Sequence, residues 1–366
     1  MSAMAVTGLG AVAGTGFGAA PLAAAARTVA GTPGAPIAEA ATVIEDFDVR
    51  ALLGRRGTMF LDRCTAIALV AAGEALADSG LEPSGGRRIG VSLGTTAGSL
   101  RSMSDYTRET LVEERPYLVN PGLFPNTVMN CATGQTAIRY GLRGINSTIA
   151  GGRLAFCGVL AAASRSLALG SLDGLLAGAV EEYSEQRDWQ SRLAAADEAV
   201  APTGEGCAVF ALERPGDALA AGRHIDALVE SVSLGFVPGG DGDARFAGAL
   251  ARRIDRALEQ AAADPGEIAF AASCAACVRR APAIAAEALA TALDDREPQP
   301  LALTSTIGDC GAATCALQLA ALVSIHRDTP ALDGACSLLF GWTPEGAVGA
   351  VVVRGFSRPP AGAPPA

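Results

Sequence analysis

Lysine is absent from this 366-residue chain, and histidine occurs only at His224 and His326. Without lysine there is no Schiff-base chemistry and no P-loop lysine to hold a phosphate. The two imidazoles both read as surface positions, since His224 opens a strand and His326 closes the last long helix. Positive charge is also short: 28 basic against 38 acidic residues leave a net charge of −10 and a pI near 4.8. That is the wrong sign for gripping a phosphate backbone, so nucleic acid is not an expected partner. Long apolar runs are missing too. The first 26 residues are uncharged, but no basic segment precedes them, and five glycines with Pro21 interrupt any apolar helix, so no secretory leader is expected. The run from Cys310 to Ile325 is 16 residues with Gln318 inside it, shorter than the ~20 that span a bilayer. It predicts a buried helix, and no membrane partner is expected.

Half of the residues are hydrophobic and 18% are charged, a composition that can fill a deep core over roughly two domains. Nine cysteines at irregular spacing read as reduced, core-filling thiols of a cytoplasmic protein and not as a disulfide framework. AMAVTGLG predicts a strand entering a glycine turn. As a dinucleotide fingerprint it fails, because no acidic residue precedes Glu39. FLDRCTAIALVAAGEALADSG (60–80) carries helical spacing and a glycine stop, and RRIGVSLGTTAG is a strand running into a loop of small residues. Pro125 is placed to begin a helix carrying Val128, Met129, Ala132 and Gln135 toward Ile138.

GINSTIAGGRLAFCG (144–158) reads as a β-branched strand, a glycine pair and an apolar helix. Such a junction presents a side chain at a positively polarised helix start, where a thiol would lose its proton easily. The side chain presented is Arg153, which cannot act as a nucleophile. DGLLAGAVEE and EGCAVFALE are core strands, GDALAAGR reads as a linker, and the pattern then repeats. The second set runs HIDALVESVSLG (strand), 248–263 (helix), EIAFAAS (strand), 281–293 (helix), LALTST (strand), 311–326 (helix), and a hairpin around GWTPEG. The division expected is 1–218, 219–356 and a disordered Pro/Ala/Gly tail at 357–366.

With these pieces in order, residues 4–355 resemble the β-ketoacyl synthase branch of the thiolase-like superfamily. The resemblance rests on VTGLGAV, ALADSGL before RRIGVSLGTTAG, FPNTVMNCATGQTAIRYGLRG, the strand and helix around Arg153, GEGCAVFALE and, more faintly, EIAFAAS and GDCGAA. It implies an α/β, five-layered αβαβα fold of two pseudo-repeated halves and a tight dimer. Active members use a cysteine thiolate and two histidines. In this chain the cysteine position corresponds to Arg153, the first histidine to Cys274 and the second to Asp309, so no catalytic residue is assigned. A synthase-like chain so altered resembles the chain length factors of type II polyketide synthases, which pair with an active ketosynthase and shape its acyl tunnel. Implied partners are a ketosynthase subunit, an acyl carrier protein and the growing acyl chain, with no cofactor. The GDCGAA segment is more similar to partners from polyene-making systems than to aromatic ones.

The family places its interface and tunnel along the segment holding Leu123, Phe124, Thr127, Val128 and Met129; simple interface packing is the competing reading. Arg153 is expected to pair with an acid, Asp309 before Glu345, or to bind an anionic ligand. Cys157 as a displaced nucleophile and Cys274-x-x-Cys277 with Cys310 as a metal site are rival readings. The first is read as core packing; the second lacks a second C-x-x-C and a histidine at ligand spacing, so no metal is assigned. The other functional readings are an independent thiolase-fold enzyme and an acyl-binding homodimer, each using Arg153 and Asp309.

Overall fold

The structure is a computed structural model that describes residues 2–30, 41–84, 86–195, 201–238, 242–275 and 278–358. Its strands are β1 (Met4–Ala13), β2 (Gly16–Phe17), β3 (Ile89–Thr95), β4 (Asn146–Ala150), β5 (Gly174–Glu181), β6 (Gly206–Glu213), β7 (Ala227–Phe236), β8 (Ile268–Ser273), β9 (Gln299–Leu301), β10 (Cys336–Trp342) and β11 (Ala347–Gly355). The helices are α1 (Ala19–Ala30), α2 (Val49–Leu53), α3 (Arg63–Ser79), α4 (Leu100–Val112), α5 (Cys131–Tyr140), α6 (Ala155–Ala168), α7 (Glu185–Ala195), α8 (Pro215–Ala220), α9 (Asp243–Ala261), α10 (Ala281–Ala292), α11 (Thr304–Ile307) and α12 (Ala313–Arg327).

The strand order is β4-β3-β5-β6-β1, then β7-β11-β10-β8-β9. Read outward from the junction, each set runs first strand, last strand, and then the parallel strands, so one topology occurs twice. The sets join antiparallel at Met4↔Val229, Ala5↔Leu228 and Val6↔Ala227. Side chains along a strand alternate between faces, and both faces are covered. Leu175, Ala177 and Ala179 of β5 enter a central core with α1, α6 and α12, while Leu176 and Val180 enter an outer core with α3. Val351 and Val353 of β11 likewise face the centre, and Val348, Ala350 and Val352 face α9 and α10. Burial on both faces explains why these strands read as unbroken apolar runs. The result is the thiolase-like αβαβα stack of five layers.

Local signals mark several helix ends. Asp62 accepts from Thr65 N at the start of α3, and Gly80 ends the helix in the left-handed conformation. Residues 313–326 of α12 are all buried, as expected for the Cys310–Ile325 run, and no described helix is long and apolar enough to cross a membrane.

Several expectations need correction. GDALAAGR is not a linker: Pro215 at a first helical position opens α8. In LALTST the strand stops at Leu301, and Thr304–Ile307 turns helical. Pro125 lies inside a 3-10 turn over Pro121–Thr127, begun by Pro121 with the Asn120 side chain accepting from Gly122 N; Val128 is extended, and α5 starts only at Cys131. Thr127, Val128 and Met129 therefore precede the helix. His326 is buried, with Nε2 2.9 Å from Ser337 Oγ and Nδ1 3.2 Å from Leu332 O. The tail cannot be called free from residue 357, because Ser357 N donates to Asp333 Oδ1 at 2.8 Å and Arg358 pairs with Asp78 and Asp226. Residues 359–366 and Cys277 lie outside the described residues.

Candidate functional site

The strand-to-helix junction forms where the sequence places it. β4 ends at Ala150, Gly152 takes φ +64°, and a 3-10 turn over Gly152–Leu154 leads into α6. The positive φ suits glycine, which has no Cβ to strain. Arg153 thus sits at the start of a buried helix, where the partial positive charge of the unpaired N–H groups opposes a cation.

A carboxylate offsets that opposition. Arg153 Nη1 donates to Asp309 Oδ1 at 2.7 Å and Nη2 to Oδ2 at 2.5 Å, a two-pronged pair with side-chain exposures of 15% and 17%. Asp309 comes from the loop between α11 and α12, so the pair ties one half of the molecule to the other. Its backbone is held as firmly as its side chain. Asp309 N donates to Pro202 O (2.7 Å), its carbonyl accepts from Gly204 N (2.9 Å) and Arg187 Nη2 (3.0 Å), and Oδ1 also accepts from Gly311 N (2.9 Å). Gly204 is required at this crossing, because a Cβ there would come within 1.9 Å of Ile307 O. Burial alone would raise the Asp309 pKa, but the Arg153 guanidinium and the accompanying hydrogen bonds outweigh it and hold it at about 2.

Of Arg153, Cys274 and Asp309, the three positions singled out by the resemblance, the structure brings Arg153 and Asp309 together. Cys274 is fully buried, donates from Sγ to Gln318 Oε1 (3.2 Å), and is fixed by its backbone N–H on Phe340 O (2.7 Å). Gln318 in turn donates to Ser273 O at 2.9 Å. Cys157 is also buried, with its Sγ 3.8 Å from Cys315 Sγ. That contact and burial push its thiol well above the ordinary range, which fits core packing and not a reactive thiolate. Among the described residues no group of three or more His, Cys, Asp or Glu could hold a metal ion. The sequence reading missed Arg187, which binds the carbonyls of Glu182, Gly204 and Asp309 and lies 3.8 Å from Glu181. Its place inside a polar stretch, EEYSEQRDW, gave no apolar spacing to mark it as buried.

The Leu123–Met129 segment lies elsewhere, packed against α4. Leu123 and Thr127 are half-buried, while Phe124, Val128 and Met129 are exposed. The Phe124 ring meets Tyr106 of α4 at 5.9 Å, and Asn126 donates to Phe60 O at 2.7 Å. Met59, Phe60, Tyr117, Leu118 and Ile138 are exposed as well. Among the described residues β4 is the last strand of the sheet order, paired with β3 alone.

The fold and this junction define a thiolase-like protein of the condensing-enzyme type. Residues 8–222 match the family model of the beta-ketoacyl synthase, N-terminal domain, and the chain belongs to that family. The ishigamide ketosynthase/chain length factor is 32% identical, with a TM-score of 0.84 over 97% of this chain and 100% of that one. A beta-ketoacyl synthase from Burkholderia phymatum shares the fold at 20% identity, with a TM-score of 0.80 and coverage of 97% of this chain and 100% of that one. Among curated proteins, 3-oxoacyl-[acyl-carrier-protein] synthase 2 of Vibrio cholerae is 30% identical over 146 residues, 39% of this chain and 35% of that protein. The Rhizobium meliloti synthase 2 is 27% identical over 57% of this chain and 55% of that protein. These alignments span about a third to a half of the curated relatives' length.

Proposed function

We propose that this chain is a non-catalytic chain length factor: it pairs with an active ketosynthase, and the Leu123–Met129 segment forms part of the wall of the acyl tunnel. The observation that carries the reading is the Arg153–Asp309 pair. It fills the place where a condensing enzyme would present its thiolate, and both carboxylate oxygens of Asp309 are engaged. Covalent catalysis has no nucleophile there. Nor is there an imidazole donor to stabilise an oxyanion, since His326 is committed to Ser337 and Leu332 and His224 lies 3.7 Å from Asp226. The same saturated pair weighs against an enzyme or homodimer that uses Arg153 to bind an anionic substrate.

The exposed apolar segment and the open edge of β4 support a partner chain on that face. The ketosynthase/chain length factor likeness suggests which partner, and an acyl carrier protein would serve the pair. Co-expression with a ketosynthase that carries the Cys-His-His set tests the reading. The expected outcome is a heterodimer that condenses malonyl units on a carrier protein, while the chain alone neither condenses nor decarboxylates. Arg153→Cys should leave the isolated chain inactive, because the histidine positions have changed as well. Acylation and condensation by that variant on its own would sink the proposal.

A further inference from the structure

The two strand sets meet over a short joint. Among the described residues β1 pairs with β7 at Met4, Ala5 and Val6 alone. Beyond that pairing the Leu9 N–H donates to Asp78 Oδ2 of α3 at 2.9 Å. Asp226, just before β7, is the second pin: its N–H donates to Val6 O and its carbonyl accepts from Phe356 N, both at 2.8 Å. Asp78 and Asp226 thus hold the joint from either side.

Two guanidiniums lie between these carboxylates. Arg327, the last residue of α12, donates from Nη2 to both, at 2.6 Å to Asp78. Arg358 also spans the two. Its Nη1 and Nη2 donate to Asp78 at 2.8 and 3.3 Å, and its Nε and Nη2 donate to Asp226, Nη2 at 2.7 Å. Two anions therefore face two cations, with the Asp226 side chain fully buried among them. Removing one cation leaves a buried carboxylate short of a partner, which is the costly way to break an ion pair. Arg358 is the cation that can leave. Arg327 closes a helix whose residues 313–326 are all buried, whereas Arg358 is carried by the strap after β11, where Phe356, Ser357 and Arg358 are each half-buried. Polar contacts fasten that strap: Ser357 N and Oγ donate to Asp333 Oδ1 at 2.8 and 3.0 Å, and Arg358 N donates to Arg327 O at 3.1 Å.

We propose that residues 356–358 are a clasp on this joint: while Arg358 sits between Asp78 and Asp226 the strand sets stay locked at β1 and β7, and when the strap lifts the joint loosens with the cores on either side still folded. The clasp does not depend on the function proposed above. A strap held by a few polar contacts lifts at lower cost than the packed layers beneath it come apart, so the opening is local. His224 stands at the same charges, with Nε2 3.7 Å from Asp226 Oδ1. Burial lowers its pKa most; Asp226 and Asp333 favour its proton, and the Arg358 and Arg327 cations oppose it. Taking Arg358 away removes one opposing cation and frees a side of Asp226. His224 should then take its proton more readily.

Hydrogen exchange of the full chain tests the clasp. In Arg358→Ala, protection over 4–9 and 226–229 should fall about tenfold or more, with β3 (89–95) and β8 (268–273) unchanged. Asp333→Ala loosens the strap from an exposed residue. It should give the same pattern at about threefold, and it carries the test where Arg358→Ala does not fold. The histidines supply a readout that a weaker fold alone would not move. The chain has two, and in an NMR titration the His224 midpoint should rise in Arg358→Ala while His326, held by Ser337 and Leu332, stays where it was. Either variant with wild-type protection at the joint, or with protection lost alike in every strand, overturns the clasp. So does a His224 midpoint that fails to rise.

Discussion

Helix α12 in the central layer buries every residue from Ala313 to His326, whereas α4 on the outer side buries none of its thirteen. The central layer is where a condensing enzyme would do its chemistry, and here it is closed by packing and by the Arg153–Asp309 pair. The α4 side is stocked with exposed apolar side chains around Phe124. The strand-helix junction at Arg153 is itself a core element, with Leu154, Phe156 and Cys157 buried behind it.

The comparison breaks most sharply at the ion pair. Asp309→Ala leaves a guanidinium largely out of water at a helix start and strips the acceptor from Gly311 N–H. The expected loss is ~3 kcal/mol or more, seen as a lower denaturant midpoint with an unchanged slope. A midpoint that does not move would mean that the pair does not hold the halves together.

Acid should undo the same contact more gently. Asp309 sits at about 2 in the folded chain against 3.8 for the unfolded group. Because the folded value is depressed, its contribution is present in full above the unfolded value and is lost as pH falls from about 4 toward 2. The amount is about 2 kcal/mol. Unfolding midpoints between pH 5 and 2 should show this slope in wild type and a shallower one in Asp309→Asn.

Much of this contrast was legible in the residues. The continuous runs of β5, β6 and α12 announced burial on all sides, the glycine pair before Arg153 marked the turn, and the matching of Asp309 to Arg153 followed from family positions and charge. Legibility failed where short-range signals compete. Pro125 is a good helix starter, yet Pro121 with Asn120 won the turn. α4 carries few apolar residues because it buries none, so periodicity had nothing to report. His326 looked exposed at the end of a helix, but Ser337 and Leu332 meet its two ring nitrogens inside. Glu182 is a buried polar group whose partners Ser99 and Cys64 lie 80 or more residues away, and Arg187 is buried by the carbonyls of Glu182, Gly204 and Asp309, which no spacing marks.

The wall sharpens the comparison at about tenfold in product partition. Each buried CH₂ of a growing chain gains ~0.8 kcal/mol, and overpacking costs typically 1–3 kcal/mol, so one side chain can shift the partition by ~1.4 kcal/mol. With the ketosynthase, Phe124→Ala or Met129→Ala should lengthen the products, and Thr127→Trp or Val128→Trp should shorten them. Unchanged products from intact heterodimers would remove this wall as the ruler.

The smallest expected effect is the most discriminating between wall and core. Phe124 and Met129 are about half exposed, so truncating either in the isolated chain should cost only ~0.5 kcal/mol, the usual size for a surface site. Phe124→Ala also gives up the Tyr106 ring contact, which could bring its loss to ~1 kcal/mol. In the heterodimer the same truncations should weaken association by more than they weaken folding, because a side chain covered by a partner loses its burial only there. Denaturation of the chain alone, set beside dissociation of the pair, separates the two quantities. A folding loss of ~2 kcal/mol or more for Met129→Ala, with association untouched, would make the segment a piece of this chain's own core. It would then have no claim on the acyl chain.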